Sequence, residues 1–481
     1  MGVNNSRFFF VLLSAGASIG IGSIWLFPYF SYKLTGFFFI PYLIALAALG
    51  VPLLMLEFSI GQYFNKNIVD LFASVRKWFS SIGWLMLFNA FIVMSFYAVV
   101  ISWHIVYFFV SFGMQWKGDA RAYFFSSVLQ VSDGFRGFTQ FSLPVFIALI
   151  IAWLIVFFCI RKGFESMKKA FLITMPIFAF LLLMFFVYSL TLDNALQGIY
   201  SFLKPNFRAL LNFETWFAAF SLAIISLGLS FGIMAAFARK SKSFVVGNSF
   251  AVVIFELLLS IAFGFILFGI LGFLSMKQGI SLDKLVFSDV GSSFTILAQA
   301  LPFFYKPTIL SLLFFIFLSI FFIFGASALA YSITHVLVHK FNTKHRNAAI
   351  VVVGFSFLFG LLFIIKPGFY IMDIVSHFVI YNVFIALFLE VIAIGWFFES
   401  EKLSAFINQN SILKIGKLWR FIVKYLIPII LLLLIFFQLK ADYLLDYNNY
   451  PLWAILVFGI GIVVVPLIAA FIMPQRLLDR R

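Results

Sequence analysis

The chain has 481 residues, of which 64% are apolar and only 10% are charged. Soluble domains are about half apolar and about a quarter charged, so this composition excludes a soluble enzyme and a disordered protein. It also argues against a nucleic-acid-binding protein, despite the net charge of +16. The single cysteine, Cys159, permits neither an intrachain disulfide nor a cysteine-rich metal site. The sequence predicts an all-α polytopic membrane protein.

Apolar runs between charged residues, prolines and glycines predict about twelve membrane-spanning helices. The first six predicted spans cover residues 7–30, 37–63, 80–113, 141–160, 171–191 and 214–238. The other six cover residues 244–275, 307–340, 347–365, 370–398, 418–439 and 450–473. The apolar run at the amino end is too long for a cleaved signal peptide, so we expect the first span to remain in the protein.

The basic residues are distributed unevenly between the two sides of these spans. With the amino terminus inside, 22 of the 33 Lys and Arg residues lie in cytoplasmic segments. Because basic side chains resist translocation, this distribution predicts a multi-pass protein of the cell (inner) membrane with both termini in the cytoplasm. The expected partners are the lipid bilayer and a small molecule, with no nucleic acid. A homodimer is compatible with the sequence.

Two predicted spans carry glycine and hydroxyl residues at mid-membrane. The first contains Gly16, Gly20 and Gly22, and the sixth contains small residues from Ser226 to Gly232. Unwound backbone inside a bilayer is tolerated only where it faces protein or a wet cavity. Since the two spans are five apart, the pattern indicates a secondary transporter with a 5+5 inverted repeat and a binding site at the midplane. The alternative is a helix-packing face formed by Gly16 and Gly20.

Three segments carry a resemblance to a known family. Residues 16–29 read GASIGIGSIWLFPY, residues 50–62 read GVPLLMLEFSIGQ after the Ile-Pro-Tyr of residues 40–42, and residues 95–103 read SFYAVVISW. These segments resemble the neurotransmitter:sodium symporter family. The resemblance implies twelve spans with discontinuous helices 1 and 6, and transport without covalent chemistry. The first repeat would be residues 1–200, the second 201–400, and helices 11 and 12 would occupy 401–481.

The resemblance also implies a substrate site for an amino acid. The substrate carboxylate would bind the N–H groups of Ile21 and Gly22 and the hydroxyl of Tyr97. The family positions that hold the amine or shape the side-chain pocket correspond here to Ser18, Val93, Ile225, Ser226, Gly228, Phe231 and Ser332. This pocket is largely apolar, which favours a neutral, apolar or aromatic amino acid.

Two sodium sites are implied in the same way, so we expect one or two Na⁺ ions. Site 2 would use Gly16, Ile19, Phe324 and Ser327, but its second hydroxyl position is Ala328, which leaves fewer ligands than sodium prefers. Site 1 would use Ser18, Ser23, Ser226 and Glu256, where the family has an amide or a short acid in place of the glutamate.

Glu256 stands within a wholly apolar stretch, and acids inside a membrane usually mark an ion or proton pathway. Tyr42 and Ser260 match chloride-site positions of the family. We therefore expect Glu256 to supply the negative charge that chloride gives in other members, so that chloride is not required. Two alternatives are that Glu256 carries a proton during transport, or that it is a protonated acid with only a structural role.

The gates differ from the family pattern. The arginine and aspartate of the outer gate correspond to Leu26 and Ser376, with Asp373 and His377 nearby. A solvated pair is the expected state of those two residues. At the inner gate the acidic partner corresponds to Asn342, and the chain begins too close to the first span to contain the basic partner. A leak channel and an amino-acid sensor are therefore competing interpretations.

Other polar residues in the spans have simpler expected roles. Glu57 would brace the unwound backbone, as its counterpart does in the family. Glu390, late in the tenth span, is expected to reach the cytoplasmic surface or to be paired. His104, His335 and His339 are not expected to bind a metal, since no carboxylate accompanies them in the sequence.

Overall fold

The computed structural model describes residues 3–18, 20, 22–34, 38–240, 244–285, 290–409, 411–444 and 447–478. This part of the chain is almost entirely helical, and its only extended pairing is an isolated bridge between Phe141 and Ile365. The predicted all-α fold is therefore confirmed.

Ten membrane-spanning helices and two pairs of shorter helices can be traced in the described residues, and we number them α1 to α12 in chain order, counting each pair as one span. Two spans are broken. The first, α1, consists of α1a (Val3–Ser18) and α1b (Gly22–Lys33). The sixth, α6, consists of α6a (Phe213–Ser226) and α6b (Ile233–Ala238). The other ten are long and apolar enough to cross a membrane: α2 Phe39–Phe64, α3 Lys77–Val110, α4 Leu143–Ile160, α5 Phe164–Thr191, α7 Val245–Gln278, α8 Pro307–Phe341, α9 His345–Phe363, α10 Gly368–Trp396, α11 Lys417–Tyr443 and α12 Leu452–Met473.

The helices extend past several predicted span boundaries. For example, α5 begins at Phe164, earlier than the predicted residue 171, and includes Glu165, Lys168 and Lys169. Hydropathy marks the apolar slab, whereas helical hydrogen bonds continue through charged residues beyond it. Charged side chains at the end of a span can reach the water.

The spans differ in how deeply they are packed. In the most apolar window of α3, 89% of the residues are buried, but in that of α12 only 17% are. The span α3 packs along α8, α6b packs on α2, and α1 contacts α7 and α8. The broken helices therefore lie inside the bundle, and α12 lies at its edge.

Contacts between span ends identify one face of the bundle. Arg7 at the start of α1 donates to Asn248 at the start of α7, and Arg239 after α6b contacts Asn65 after α2. Near the end of α8, Lys340 pairs with Asp70 of the short helix Ile68–Val75. We call this the basic face, because it carries the ends that were predicted to be rich in Lys and Arg.

The two breaks differ in their backbone geometry. In α1, the two halves are bent by 76°, and the N–H groups of Ser23 and Ile24 donate to the carbonyl of Gly20. In α6, Gly228, Ser230 and Gly232 have φ of +61°, +66° and +70°. A left-handed residue cannot continue a right-handed α-helix, and three of them in five residues end α6a. The expected discontinuity of helices 1 and 6 is thus confirmed.

Candidate functional site

The two helix breaks lie against each other at the centre of the bundle. A Cβ atom built on Gly22 would lie 3.2 Å from the Cα of Ser226, and one built on Gly228 would lie 3.4 Å from the Cα of Ser18. The helix ends that flank the α1 break therefore meet the end of α6a and the start of the α6 break with almost no side chain between them. Peptide N–H and carbonyl groups that no longer belong to a helix are brought to one place, which is what a site for a charged small molecule requires.

The hydroxyl of Tyr97 from α3 reaches the α1 break. It occupies the space that a side chain at Gly20 would fill. One turn below, Gly16 lies against the rings of Phe171 and Phe324, each 2.9 Å from a Cβ built on that glycine. Gly16 and Gly20 therefore do serve close packing, as the alternative interpretation required, and the helix also breaks beside them. The two interpretations are compatible.

The other predicted substrate residues are mostly buried. Val93 lies one turn before Tyr97 on the same face of α3 and is 8% exposed, and Phe231 in the α6 break is 7% exposed. Ser332 in α8 donates its hydroxyl to the Leu329 carbonyl of its own helix, so it presents little polarity to neighbours. Ile225 is half-buried at the end of α6a. Ile21, which was expected to bind the carboxylate, lies outside the described residues.

Glu256 lies at the meeting point of four spans. One carboxylate oxygen, Oε1, accepts hydrogen bonds from Ser23 of α1 at 3.0 Å, from Tyr42 of α2 at 2.8 Å and from Ser260 of α7 at 2.7 Å. The Tyr42 hydroxyl is also 2.7 Å from the Ser226 hydroxyl of α6. The whole side chain is buried. Ser23 and Ser226 of the predicted sodium site are thus brought together with Tyr42 and Ser260 of the predicted chloride site. Ser18 is not among these hydrogen bonds, because its hydroxyl donates to the Ala15 carbonyl.

The two oxygens of Glu256 differ sharply in their surroundings. Oε1 has three donors, whereas Oε2 is buried and has no hydrogen-bond partner among the described residues. A buried carboxylate oxygen without a partner is costly unless a cation or a proton compensates it. Carboxylate and hydroxyl oxygens are hard ligands of the kind that alkali cations prefer. The group around Glu256 therefore fits a small hard cation.

The residues expected at sodium site 2 fit an ion less well. The rings of Phe171 and Phe324 lie 4.4 Å apart and cover Gly16. The hydroxyl of Ser327 is buried without a hydrogen-bond partner among the described residues, so one polar ligand is available. Ser18 donates to the Ala15 carbonyl. Ile19 lies outside the described residues.

Glu57 braces the α6 break, as expected from the sequence. Its Oε1 accepts the backbone N–H of Ser230 at 2.7 Å. The expectation for Glu390 was wrong. Its carboxyl group is completely buried, neither oxygen has a hydrogen-bond partner among the described residues, and its main electrostatic neighbour is Glu57. The reason is that α10 stays inside the bundle over most of its length, so Glu390 cannot reach the surface.

The chain matches the family model of the Sodium:neurotransmitter symporter family over residues 2–122 and 115–478. It belongs to this family. An uncharacterised sodium-dependent transporter of Methanocaldococcus jannaschii is 32% identical over 469 residues, which cover 96% of this chain and 95% of the relative. The sodium- and chloride-dependent GABA transporter 2 of Homo sapiens is 26% identical over 495 residues, which cover 93% of this chain and 82% of the relative.

Family membership settles the coarse biochemical class. This symporter-family protein is a sodium-dependent membrane transporter of a small molecule, and it is not an enzyme. The competing interpretations as a leak channel or a sensor would require departures from the activity that its relatives are named for.

On the face opposite the basic face, this symporter-family chain has a cluster that the sequence only partly indicated. His377 of α10 contacts both carboxylate oxygens of Asp442 in α11, at 2.9 and 3.0 Å, and Tyr381 donates to the same carboxylate at 2.6 Å. Asp373 accepts from Tyr450, beyond α11, at 2.9 Å. The expectation of a solvated Asp373–His377 pair is therefore wrong, because each residue has a closer partner elsewhere. These contacts join α10 to α11 and the following segment.

Proposed function

We propose that the protein is a sodium-coupled symporter that moves a neutral, apolar or aromatic amino acid by alternating access. The observation that carries this proposal is the contact of the two helix breaks, with Gly22 against Ser226 and Gly228 against Ser18. A zwitterion needs N–H donors for its carboxylate and oxygen acceptors for its amine. Two opposed breaks offer both kinds of group without any charged side chain.

In this proposal the carboxylate binds at the α1 break. Gly22, the first residue of α1b, offers an N–H group at the positive end of a helix dipole, and Tyr97 adds a hydroxyl. Ile21, which lies outside the described residues, keeps its predicted part in binding the carboxylate. The carbonyls of Ser18, Ile225, Ser226 and Gly228 receive the amine. Val93, Phe231 and Ser332 surround the side chain. Because the buried residues among these are mostly apolar, a charged substrate side chain would lose its hydration without compensation.

Sodium would bind at site 1 through Ser18, Ser23, Ser226 and Glu256. The unpartnered Oε2 of Glu256 supports this assignment, because it supplies a full negative charge next to the hydroxyls. In the same proposal Oε1 takes the place of a chloride ion, since it already receives three hydroxyl donors. The human relative is named as chloride-dependent, whereas this carboxylate would make transport here independent of chloride.

A second sodium ion would bind at site 2 through the carbonyls of Gly16, Ile19 and Phe324 and the hydroxyl of Ser327. With four protein ligands and no charge, this site would bind sodium more weakly than site 1. We further propose that the basic face is cytoplasmic in the cell membrane, so both termini are inside. Sodium would then enter with the substrate from the opposite face.

The test is uptake of radiolabelled amino acids into proteoliposomes. An inward sodium gradient should drive accumulation of an apolar or aromatic amino acid, and collapsing that gradient with a sodium ionophore should abolish it. Replacing all chloride with gluconate should leave the rate unchanged. Liposomes without protein provide the background. A protein that binds an amino acid without accumulating it, or that passes ions faster than a carrier can turn over, would contradict symport.

Proton coupling is the second candidate, and the unpartnered Oε2 of Glu256 is the observation that favours it. A proton on that oxygen would satisfy it as well as a cation would. The same proteoliposomes distinguish the two mechanisms. Accumulation driven by an imposed pH gradient without sodium would identify the proton as the coupling ion and would refute sodium coupling.

A further inference from the structure

Arg239 makes an unusual set of contacts at the basic face. It follows α6b, and its Nη1 lies 2.7 Å from Nε2 of His335 and 3.2 Å from Nε2 of His339, both in α8. Its Nε donates to the Asn65 side chain after α2 at 2.9 Å. One guanidinium group therefore joins the end of α6b to the ends of two other spans, α2 and α8.

A cavity of about 530 Å³ lies directly outside this contact. Its polar walls include Lys66, Asn67, Asp70, Arg239 and His339. Several of these wall groups are already hydrogen-bonded within the protein. Lys66 donates to Ser74, and Asn67 donates to Asp70, which also pairs with Lys340. The cavity is therefore better described as a vestibule leading to Arg239 than as a binding site of its own.

The Arg239 contact requires a neutral histidine at position 335. A guanidinium group only donates hydrogen bonds, so Nε2 of His335 must accept and the ring proton must sit on Nδ1. That Nδ1 is buried and has no hydrogen-bond partner among the described residues. A second proton, on Nε2 of His335, would place an N–H group against the Arg239 guanidinium and bring the positive charges of the two side chains into contact. Protonation and the Arg239–His335 contact therefore exclude each other.

Most of the titratable groups around His335 are basic. The titratable or charged groups facing it and His339 are Arg239 and Lys240 after α6b, Tyr331, His339 and Lys340 of α8, His345 at the start of α9, and Asp70 of the helix Ile68–Val75. Asp70 is the single acid in this set, and Lys340 already binds it at 2.5 Å. No carboxylate in the set is left to stabilise a protonated His335 while the contact is closed.

We propose that Arg239 is the inner gate of this transporter, and that protons from the basic face open it by displacing Arg239 from His335. In the family, an ion pair closes the inner gate, and its acidic residue corresponds to Asn342 here. The Arg239–His335 contact would replace that ion pair. When α6b moves away, His335 meets water, where a histidine gains its proton near a pH of about 6.5. The open gate then binds a proton that the closed gate excludes, so acidification shifts the equilibrium towards the open form. This inference rests on the proposed alternating access.

The test measures access to the passage behind the gate. Cys159→Ala removes the native thiol, and Ser332→Cys places a reporter one helical turn behind His335 at a residue that is 2% exposed. A polar thiol reagent labels the purified protein, and each rate is divided by the rate for denatured protein at the same pH. A second reporter, Val100→Cys, lies beyond Tyr97 towards the opposite face and is fully buried.

Arg239→Gln should raise labelling of Ser332→Cys by about tenfold, because it removes a charge-assisted hydrogen bond. Lys66→Gln is the matched control, because it removes a cation from the same vestibule that hydrogen-bonds to Ser74 and takes no part in the Arg239 contact, and it should leave the rate unchanged. Lowering the pH from about 7.5 to about 5.5 should raise labelling with the native histidines. Changing both His335→Gln and His339→Gln should keep the gate closed at both pH values, since an amide oxygen accepts from Arg239 without titrating.

Three results would overturn the proposal: unchanged labelling in Arg239→Gln, an acid response that survives both glutamine substitutions, or an equal rise at Val100→Cys, which would indicate general loosening. The labelling needs neither substrate nor uptake. If the unmodified protein showed no sodium-driven accumulation, symport would be refuted while the labelling result would still decide the gate.

Discussion

Ser230 donates its backbone N–H to the Glu57 carboxylate at 2.7 Å from a left-handed backbone conformation with φ of +66°. A serine rarely adopts this conformation, which costs about 1 kcal/mol relative to glycine. The hydrogen bond from α2 therefore holds a strained residue at the centre of the α6 break. The strained φ of Ser230 and the hydrogen bond that restrains it therefore belong to the same residue.

This arrangement predicts opposite effects of two substitutions. Glu57→Ala should lower the free energy of unfolding by about 1–3 kcal/mol, because the buried Ser230 N–H loses its acceptor. Ser230→Gly should raise it by about 0.5–1 kcal/mol, because glycine adopts positive φ without strain. Thermal unfolding in detergent measures both changes. Glu214→Gln, at an exposed ion pair with Lys33, is the control and should shift stability by less than about 1 kcal/mol. A destabilised Ser230→Gly would show that its side chain matters more than its backbone.

The contact between the two breaks predicts that residue 22 must be glycine. A Cβ on Gly22 would lie within 3.3 Å of three atoms of Ser226, two of them backbone. Gly22→Ala should therefore separate the breaks and reduce uptake by about tenfold or more, since crowding of this kind costs about 1–3 kcal/mol. Gly354→Ala in α9 is the control, because nothing lies within 4 Å of a Cβ there. Normal uptake by Gly22→Ala would argue that the breaks are not the transport site.

Removing the charge of Glu256 should change the ion requirement. In Glu256→Gln, the three hydroxyls of Ser23, Tyr42 and Ser260 lose their carboxylate, so we expect sodium affinity to fall and chloride to become stimulatory. Uptake is measured against sodium concentration, in chloride and in gluconate. Ser260→Ala removes one of the three donors and keeps the charge, so it should weaken sodium dependence without creating a chloride effect. If Glu256→Gln behaved like the unmodified protein, the carboxylate would have only a structural role.

The Tyr97 hydroxyl should contribute directly to substrate affinity. Tyr97→Phe removes a hydrogen bond to the substrate carboxylate, which is worth about 1.5–3 kcal/mol when one partner is charged. We therefore expect the substrate concentration for half-maximal uptake to rise by about tenfold or more. Tyr107→Phe is the control on the same helix, because its buried hydroxyl has no hydrogen-bond partner among the described residues. Equal behaviour of the two variants would place the substrate elsewhere.

Much of the architecture could be predicted from the sequence, because the positions of the membrane spans depend directly on which residues are apolar. The spans follow from hydropathy, and the breaks follow from glycine and hydroxyl residues where helix formers are expected. Part of the Glu256 group was also predictable, since Tyr42 and Ser260 occupy recognisable family positions. The sequence did not reveal that three hydroxyls would converge on one oxygen and leave the other bare, because that depends on side-chain rotamers.

Contacts between distant spans were missed for a different reason. Arg239 was counted only as a charge that orients the protein, although it contacts a histidine 96 residues away. Hydropathy locates a span but does not give its rotation, so it cannot show which side chains of two spans face each other. The same limit explains Glu390, whose position near the end of α10 suggested exposure. Its burial depends on the spans packed around α10, which no local pattern encodes.

The partners of Glu256 belong to α1, α2 and α7, and Tyr42 extends the group to α6. A helix that withdrew alone from this carboxylate would leave part of its charge unsatisfied in a medium that cannot solvate it. Moving any one of the four spans alone at the level of Glu256 therefore costs free energy, whereas moving all four together does not. In the proposed transport cycle, the displacement that exposes the substrate would therefore carry these segments together as one body relative to α3 and α8.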